Sequence, residues 1–302
     1  MFNGIILPLI TPFKTNGEVD EHTLLQMADG AIEAGAHGIF LLGSQGQGPT
    51  MSLEERTKAT AKVVEHVNGK VPVIVHVGTT DLRSTTRLAV EAEAAGVDGI
   101  AVIAPYYYTD HTTAEIDAHF LGVAKATSLP MVMYNNAKYS GVNITVDWLA
   151  RLNEQIPTLC GVKLSYASPE MMLQYVERLP ERVAVYSGST MYLLTTVPFG
   201  VRGAINPLAV LFPELAVSMW NAIEAKNWEL AFQLQDRVNR ASLGISKIFK
   251  QSGRSLYKEG LRMMGYNVEA FPRWEATDLS EASLAELRTI MEIVSVRDLS
   301  MK

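Results

Sequence analysis

Lys163 is the residue whose surroundings point most directly to chemistry. It lies in the short apolar run Leu159–Leu164, which predicts a buried strand. Lysine is rarely buried without a partner, and a lysine amine inside a protein can attack a carbonyl carbon and hold the substrate as a Schiff base. The structural alternatives are an ion pair or an amine that reaches solvent from the strand end. We favour the catalytic interpretation.

Tyr134 ends a second apolar run, Met131–Tyr134, and is the second candidate side chain. A phenol can accept and donate protons while bonds form and break. Tyrosine is also a common strand residue, so a packed ring with a satisfied hydroxyl group is the alternative. If both runs are parallel barrel strands, Lys163 and Tyr134 meet over one site, because functional residues of such barrels lie at the carboxyl ends of the strands.

Two loops add further candidates. Residues 43–48 read GSQGQG, whose glycines let backbone amides approach a ligand, while Ser44 supplies a hydroxyl group. These groups suit a small carboxylate, although a plain tight turn has the same composition. Three consecutive tyrosines at 106–108 follow another apolar run. They indicate either packing surface or a phenol that relays protons.

The elements that position these residues alternate along the first two thirds of the chain. Eight short apolar runs alternate with segments of helical length, which predicts an α/β protein, and eight parallel strands close a (β/α)8 TIM barrel. A doubly wound sheet is the rival fold, but no glycine-rich dinucleotide fingerprint follows the first run. The runs are Gly4–Pro8, Gly38–Leu42, Val71–Val77, Gly99–Ile103, Met131–Tyr134, Leu159–Leu164, Ala184–Tyr186 and Gly203–Ile205.

Residues 207–302 differ from the rest, because they contain helical patterns and no convincing strand. We predict that residues 1–206 form the barrel and that residues 207–302 form a helical extension packed on it as one structural unit, since no flexible linker separates them. Helices are predicted over Met191–Pro198 in the barrel and, in the extension, over Ala222–Ile245, Arg254–Met264 and Ser280–Ile293.

Composition narrows the functional classes. The net charge of −6 argues against nucleic acid as the main partner, and no run approaches the ~20 apolar residues of a membrane span. A single cysteine, together with an N-terminus that lacks a basic region, predicts a cytoplasmic protein. The six histidines form no metal-binding pair and no serine-hydrolase elbow occurs, so we expect no metal and no cofactor.

The candidate residues, in their order along the chain, resemble the family of dihydrodipicolinate synthase and N-acetylneuraminate lyase. The resemblance extends from Gly4 to about residue 270. Each motif alone is weak evidence, whereas the ordered set is highly specific. The motifs are PLITPF from residue 8, GSQGQ from 43, SLEER from 52, PYYY from 105, YN from 134, GVK from 161 and GAI from 203.

This resemblance implies a (β/α)8 barrel with C-terminal helices and a class I aldolase mechanism. The family's lysine condenses with the ketone of pyruvate or a longer 2-oxo acid, and its position matches Lys163. The family's proton-shuttling tyrosine matches Tyr134. The family's loop hydroxyl matches Ser44, and it would link Tyr134 to Tyr107, which a neighbouring subunit lends.

The resemblance also implies partners and a binding pocket. A tyrosine lent by a neighbour requires a homo-oligomer, commonly a dimer of dimers in this family. Ser44 and Gln45 match the positions that hold the substrate carboxylate, and Gly188 and Ile205 match positions that line the pocket.

Departures from the family pattern bear on the substrate. Gln45 and Gln47 occupy loop positions where the family has threonine and glutamate. The synthase has an arginine that grips its dicarboxylic substrate; this chain has Tyr139 there, with Lys138 beside it as a candidate substitute. Where sialic-acid lyases have acidic residues, the sequence reads Ser-Thr-Met at 189–191. Lysine synthesis and sialic-acid cleavage are therefore disfavoured, and we expect a smaller or less hydroxylated aldehyde portion.

The sequence thus predicts a metal-independent carbon–carbon lyase of the pyruvate aldolase type. Through a Schiff base on Lys163 it would cleave or form a 4-hydroxy-2-oxo acid, with a 2-oxo acid and an aldehyde as its small-molecule partners. One alternative is a Schiff-base dehydratase or a condensing enzyme similar to dihydrodipicolinate synthase. Another, from a different class, is a non-catalytic paralogue that binds a 2-oxo acid, which the change at Gln45 keeps open.

Overall fold

Eight parallel strands close into a barrel in the computed structural model, which describes residues 2–293. Each strand pairs with the next along the chain, and the last pairs with the first. The predicted (β/α)8 TIM barrel with appended C-terminal helices is confirmed. The strands are β1 (Gly4–Pro8), β2 (Gly38–Leu41), β3 (Val73–His76), β4 (Gly99–Ile103), β5 (Met131–Asn135), β6 (Leu159–Leu164), β7 (Ala184–Ser187) and β8 (Gly203–Ala204).

Helices cover the outside of the barrel and continue beyond it. Six barrel helices begin after an Asp, Ser or Thr whose side chain accepts a hydrogen bond from a first-turn amide, which satisfies an otherwise free donor. The helices are α1 (Glu21–Glu33), α2 (Leu53–Val67), α3 (Leu82–Ala95), α4 (Thr113–Ala126), α5 (Ala137–Ser140), α6 (Val146–Asn153), α7 (Pro169–Arg178), α8 (Leu193–Thr196), α9 (Leu208–Leu211), α10 (Pro213–Glu224), α11 (Trp228–Ser252), α12 (Ser255–Met263) and α13 (Glu281–Ile293).

The barrel interior is a small apolar core of its own. Alternate strand residues point inward, and those of seven strands or strand ends form one buried cluster. The opposite strand faces join the larger core beneath the helices. Barrel strands are therefore buried on both faces, which explains their nearly continuous apolar sequences. The interior cluster consists of Ile6, Phe40, Ile74, Ala101, Val132, Ala184, Tyr186 and Ile205.

Strand register brings the two principal candidates together. Tyr134 on β5 lies directly opposite Lys163 on β6. Residues opposite each other in a sheet share a face, and both side chains are buried. The barrel geometry alone therefore places the phenol beside the amine, as the sequence predicts.

Two predicted helices differ from the structure. The pattern over Ala222–Ile245 spans the end of α10 and most of α11, with a break between them at residues 225–227. Lys226 has a left-handed backbone (φ 55°), and the Asn227 side chain caps α11. The stretch Met191–Pro198 forms short helical turns at Thr190–Tyr192, Leu193–Thr196 and Val197–Phe199. The break after Thr196 has a local cause, because Pro198 cannot donate the amide hydrogen that a continuous helix needs.

The C-terminal helices pack on the barrel, with α9 and α10 against β1 and α11 against α8. The boundary at residue 206 and the single structural unit remain predictions, and the last nine residues of the predicted extension lie outside the described part of the chain. Among residues 2–293, no helix combines the length and the apolar character that a membrane crossing requires.

Candidate active site

Lys163 lies near the end of β6 and is 6% exposed. Its Nζ atom is 4.2 Å from the ring centroid of Tyr134 and 5.0 Å from that of Phe40. Aromatic faces stabilise an ammonium group without neutralising it. Among residues 2–293, no carboxylate lies within 4.0 Å of this amine, so the ion-pair alternative does not hold. Within the part of the chain that the structure describes, the amine is therefore buried and has no acidic partner.

Tyr134 has its hydroxyl group within reach of two polar side chains. Asn136 Nδ2 donates a hydrogen bond of 2.8 Å to Tyr134 Oη, and Ser44 Oγ lies 3.4 Å from it. Burial raises the pKa of Tyr134, but the charge of Lys163 and hydrogen bonds from Ser44, Asn136 and Ser165 outweigh burial, so the pKa lies below its ordinary value. This phenol gives up its proton more readily than a free tyrosine does.

Asn136 is a site residue that the sequence did not reveal. It follows Tyr134 by two positions, where the chain enters α5, and its side chain is buried. The neighbouring Asn135 holds the loop by donating to Ile144 O (3.0 Å) and accepting from Ile144 N (3.2 Å). Its position only two residues after Tyr134 was the one available signal.

The loop after β2 follows a constrained path beside the site. Leu42 and Gln47 both have left-handed backbone conformations (φ 58° and 55°). A Cβ atom on Gly48 would lie 2.0 Å from Leu42 O, so only glycine fits there. The Thr11 hydroxyl donates to Gly46 O at 2.5 Å. These constraints fix Ser44 next to Tyr134.

Both glutamines of this loop accept hydrogen bonds from arginines of the C-terminal extension. Arg254 Nη1 donates to Gln45 Oε1 at 2.9 Å, and the backbone amide of Arg273 donates to Gln47 Oε1 at 2.9 Å. The Arg273 side chain forms a two-pronged ion pair with Glu55, with N–O distances of 2.6 and 2.7 Å. The two departures at Gln45 and Gln47 therefore have a structural reason: they connect the barrel loop to the extension.

A cavity of ≈ 690 Å³ opens at the carboxyl ends of the strands, where active sites of such barrels lie. Lys163, Tyr134, Ser44, Gln45, Gly188 and Ile205 all line it, which brings together every predicted site residue except Tyr107. A Cβ atom at position 188 would lie 2.7 Å from Leu164 O, so glycine is required there. Most of the remaining wall comes from α11, α12 and the loops after β6 to β8, with Asn136 and Tyr139 added from the loop and helix after β5.

Tyr107 does not reach the cavity of its own chain. It is 80% exposed, has a left-handed backbone (φ 85°) and stacks edge-on against Tyr108 at 5.0 Å. Lys138 does not line the cavity either, because its Nζ lies over the Tyr166 ring at 5.6 Å. Tyr139 does line the cavity, and its hydroxyl accepts a hydrogen bond from Arg254 Nη2 at 3.1 Å.

His76 is a neutral neighbour of Lys163 and Tyr134. Its ring meets that of Tyr134 edge-on at 5.8 Å. Burial, followed by the charges of Arg56 and Lys163, holds the pKa of His76 well below its ordinary value. Because the imidazole is neutral, it adds no positive charge to those of Arg56 and Lys163. Within the described residues, no group of three histidine, cysteine or carboxylate side chains is arranged to hold a metal ion.

Comparison with known proteins agrees with these features. The model of the dihydrodipicolinate synthetase family matches residues 1–294. The chain is 30% identical over 291 residues to the 4-hydroxy-tetrahydrodipicolinate synthase of Desulfotalea psychrophila, covering 96% of each protein. It is 33% identical over 236 residues to an uncharacterised DapA-like lyase of Halobacterium salinarum, covering 78% of this chain and 77% of the lyase.

Solved structures are similar over nearly the whole chain. YagE, an E. coli prophage protein of the dihydrodipicolinic acid synthase family solved in complex with pyruvate, superposes with a TM-score of 0.89 at 27% identity, covering 97% of this chain and 99% of YagE. A putative dihydrodipicolinate synthetase from Pseudomonas aeruginosa gives a TM-score of 0.90 at 27% identity, with coverages of 98% and 100%.

Proposed function

Because this chain belongs to the dihydrodipicolinate synthetase family, whose members are enzymes of the carbon–carbon lyase type, we propose that it is a class I pyruvate aldolase. It would cleave or form a 4-hydroxy-2-oxo acid through a Schiff base on Lys163. The observation that carries this proposal is the buried amine of Lys163, which has no acidic partner among residues 2–293 and lies 4.2 Å from the ring of a phenol whose pKa is lowered.

The first step joins the substrate to the enzyme. The Lys163 amine adds to C2 of the 2-oxo acid, and loss of water leaves an iminium group. A base then removes the proton of the C4 hydroxyl, the C3–C4 bond breaks, and the aldehyde leaves. The electron pair of that bond moves to C3, which takes up a proton, and water then releases pyruvate and the free amine.

Tyr134 is the residue best placed to move these protons. Its hydroxyl group contacts Ser44 and Asn136, and Lys163 lies beneath its ring. A lowered pKa brings the phenol closer to working pH, which improves a general base. Asn136 donates its hydrogen bond to the phenolate form, so it supports the same role.

The substrate carboxylate belongs at the loop after β2. Ser44 Oγ and the backbone amides of Ser44 and Gln45 would bind it there, while the Gln45 side chain is directed to Arg254. Gly188 and Ile205 would limit the space around the reacting carbons. Holding the carboxylate and C2 at two fixed points orients the C3–C4 bond.

A second candidate function is that of the named relatives, 4-hydroxy-tetrahydrodipicolinate synthase. The same iminium chemistry would serve such a condensation or a dehydration. Tyr139 stands where we expect the arginine of the synthase, which argues against an identical substrate. The free amine of Lys163 beside the proton-shuttling phenol argues against a binding paralogue without turnover.

Two further features belong to this proposal. Tyr107 is so exposed that it could complete the site of a second copy of the chain, as expected for a dimer of dimers. A free Cys160 supports a reducing, cytoplasmic setting. Sedimentation of the purified chain with and without Tyr107→Ala measures both the assembly and this contact.

Retro-aldol cleavage tests the proposal. A coupled assay for released pyruvate would be run over a panel of 4-hydroxy-2-oxo acids with the wild type, Lys163→Ala and Lys138→Ala. Lys138 is the matched control, since it lies near the cavity without lining it. We expect pyruvate release by the wild type and the control, and none by Lys163→Ala. Absence of release from every substrate by folded wild type would contradict the aldolase assignment.

A further inference from the structure

Arg254 brings a second positive charge into the cavity from outside the barrel. It follows Gly253, which ends α11 with φ 58° and ψ −139°, a conformation that is essentially restricted to glycine. The turn sends the chain into α12 and leaves the Arg254 side chain among the residues that line the cavity. Arg254 as a whole residue is half-buried there.

Both protein partners of this guanidinium group are neutral. It donates to Gln45 Oε1 at 2.9 Å and to Tyr139 Oη at 3.1 Å. Within residues 2–293, no carboxylate lies within ion-pair distance of Arg254. Other arginines of the extension do have such partners: Arg240 pairs with Asp236, Arg262 with Glu259 and Arg273 with Glu55.

The cavity itself contains no acidic group. Its lining, as far as the structure describes the chain, includes Lys163 and Arg254 and neither aspartate nor glutamate. Two cations in a concave site without a counter-charge favour an anionic ligand, and more than one negative charge is needed to balance them. The C1 carboxylate of a 2-oxo acid supplies only one.

Gln45 supplies an independent observation. It is 7% exposed, and among residues 2–293 its buried Nε2 atom makes no well-formed hydrogen bond, with the Tyr257 hydroxyl group as its nearest candidate acceptor. The amide cannot be turned over, because Arg254 is purely a donor and requires Oε1 on its side. A buried amide donor without an acceptor is costly, and a bound anion beside Arg254 would satisfy it.

Arg254 retains three N–H donors after its two protein contacts, since guanidinium carries five in a planar fork. That fork matches the two oxygens of a carboxylate or of a phosphate. Arg254 lines the cavity together with Ser246 and Phe249 of α11. Lys163 lines it from the end of the barrel, and there it would fix the Schiff-base carbon C2. With the C1 carboxylate at Ser44 and the backbone amides of the loop after β2, the group left for Arg254 and the Gln45 side chain is the part of the substrate beyond C3.

We propose that Arg254 is a specificity-determining residue that binds a second anionic group, a carboxylate or a phosphate, on the aldehyde portion of the substrate. Gln45 and Tyr139 hold the guanidinium group in place. The substrate class is thus a 4-hydroxy-2-oxo acid with an anionic far end. This inference rests on the proposed function and goes beyond it by assigning the far end of the substrate.

The test compares three 4-hydroxy-2-oxo acids of matched chain length, ending in a carboxylate, a phosphate monoester or a neutral hydroxyl group. For each, kcat and KM are measured with the wild type, Arg254→Met, Arg254→Lys and the control Arg240→Met, whose side chain lies on α11 outside the cavity. The two anionic substrates separate a carboxylate site from a phosphate site.

We expect the wild type to prefer one anionic substrate, and Arg254→Met to reduce that preference by roughly 10- to 100-fold, mainly through KM. Arg254→Lys should restore part of it, because it keeps the charge and loses the fork. Arg240→Met should retain the wild-type preference.

Equal losses for charged and neutral substrates would overturn the proposal, since they would mean that Arg254 only positions Gln45. A wild-type preference for the neutral substrate would overturn it as well. Trapping of pyruvate with borohydride separates failure of the inference on Arg254 from failure of the proposed aldolase function. An adduct without charge preference rejects the role of Arg254 alone, whereas a folded protein that forms no adduct rejects the aldolase function and this inference with it.

Discussion

The two ends of the cavity are built in different ways. At the barrel end, Lys163 and Tyr134 stand opposite each other on adjacent strands, and their position follows from sheet register. At the far end, Gln45, Tyr139 and Arg254 come from a loop, a short helix and a turn of the extension. A rigid barrel end suits chemistry that must stay constant, while irregular segments can change without disturbing the strands. Under the proposed function, the reaction type and the substrate are therefore encoded by separate parts of the chain.

The largest effect should come from the barrel end. Tyr134→Phe keeps the ring against Lys163 and removes only the hydroxyl group, so we expect kcat to fall by about 10²–10⁴-fold with little change in KM. Steady-state kinetics of pyruvate release measure this. Tyr108→Phe is the control, because that ring is exposed and lies outside the cavity. An unchanged kcat in Tyr134→Phe would contradict the proton-shuttle role of Tyr134. It would also contradict the division of the cavity into a barrel end for chemistry and a far end for substrate choice.

Replacing Asn136 should lower the rate less than replacing Tyr134 does. Asn136→Ala removes the 2.8 Å hydrogen bond to Tyr134 Oη. That bond stabilises the charged phenolate, so its loss raises the pKa of Tyr134 towards its ordinary value. The rising limb of the rate profile, which reports deprotonation of the base, should move to higher pH. The rate at neutral pH should drop by roughly 10-fold for a shift of about one pH unit.

The pH profile distinguishes this cause from a general loss of structure. A lower rate at every pH with an unchanged limb would mean that Asn136 only packs the loop. The control Asn143→Ala removes the partner of Asn135 and leaves the bond to Tyr134 intact.

The smallest effect should come from the connection between the loop and the extension. Gln47→Asn tolerates the left-handed backbone, in which asparagine is enriched, but its shorter side chain cannot reach the amide of Arg273. Losing that hydrogen bond should lower the free energy of unfolding by about 1 kcal/mol, measured by urea denaturation. The charge preference of the enzyme should stay as in the wild type, because Gln45 and Arg254 keep their contact. A lost charge preference would show that the two glutamines act as one unit.

Strand periodicity predicted the barrel end well, because Tyr134 and Lys163 lie at or near the end of an apolar run and the barrel topology decides where those ends meet. Tyr134 and Lys163 needed no long-range information beyond the order of the strands. Asn136 was missed, since its contact with Tyr134 depends on how the chain turns after β5.

The far end could not be predicted in the same way. Arg254 and Gln45 are 209 positions apart, and no repeating pattern connects a helix start in the extension with a loop in the barrel. The break between α10 and α11 was missed for a local reason, as Asn227 ends one helical pattern and caps the next without a proline or glycine to mark it. The departures at Gln45, Gln47 and Tyr139 pointed to the right region, but only the folded chain brings Arg254 to them.

The central claim is that Lys163 carries the substrate, and peptide mapping after reductive trapping tests it most directly. The protein is incubated with pyruvate and borohydride, digested, and analysed by mass spectrometry. We predict that the added mass of one reduced pyruvyl group lies on Lys163, and that Lys163→Ala acquires none. A modified lysine elsewhere, or an unmodified Lys163 in folded protein, would contradict the account.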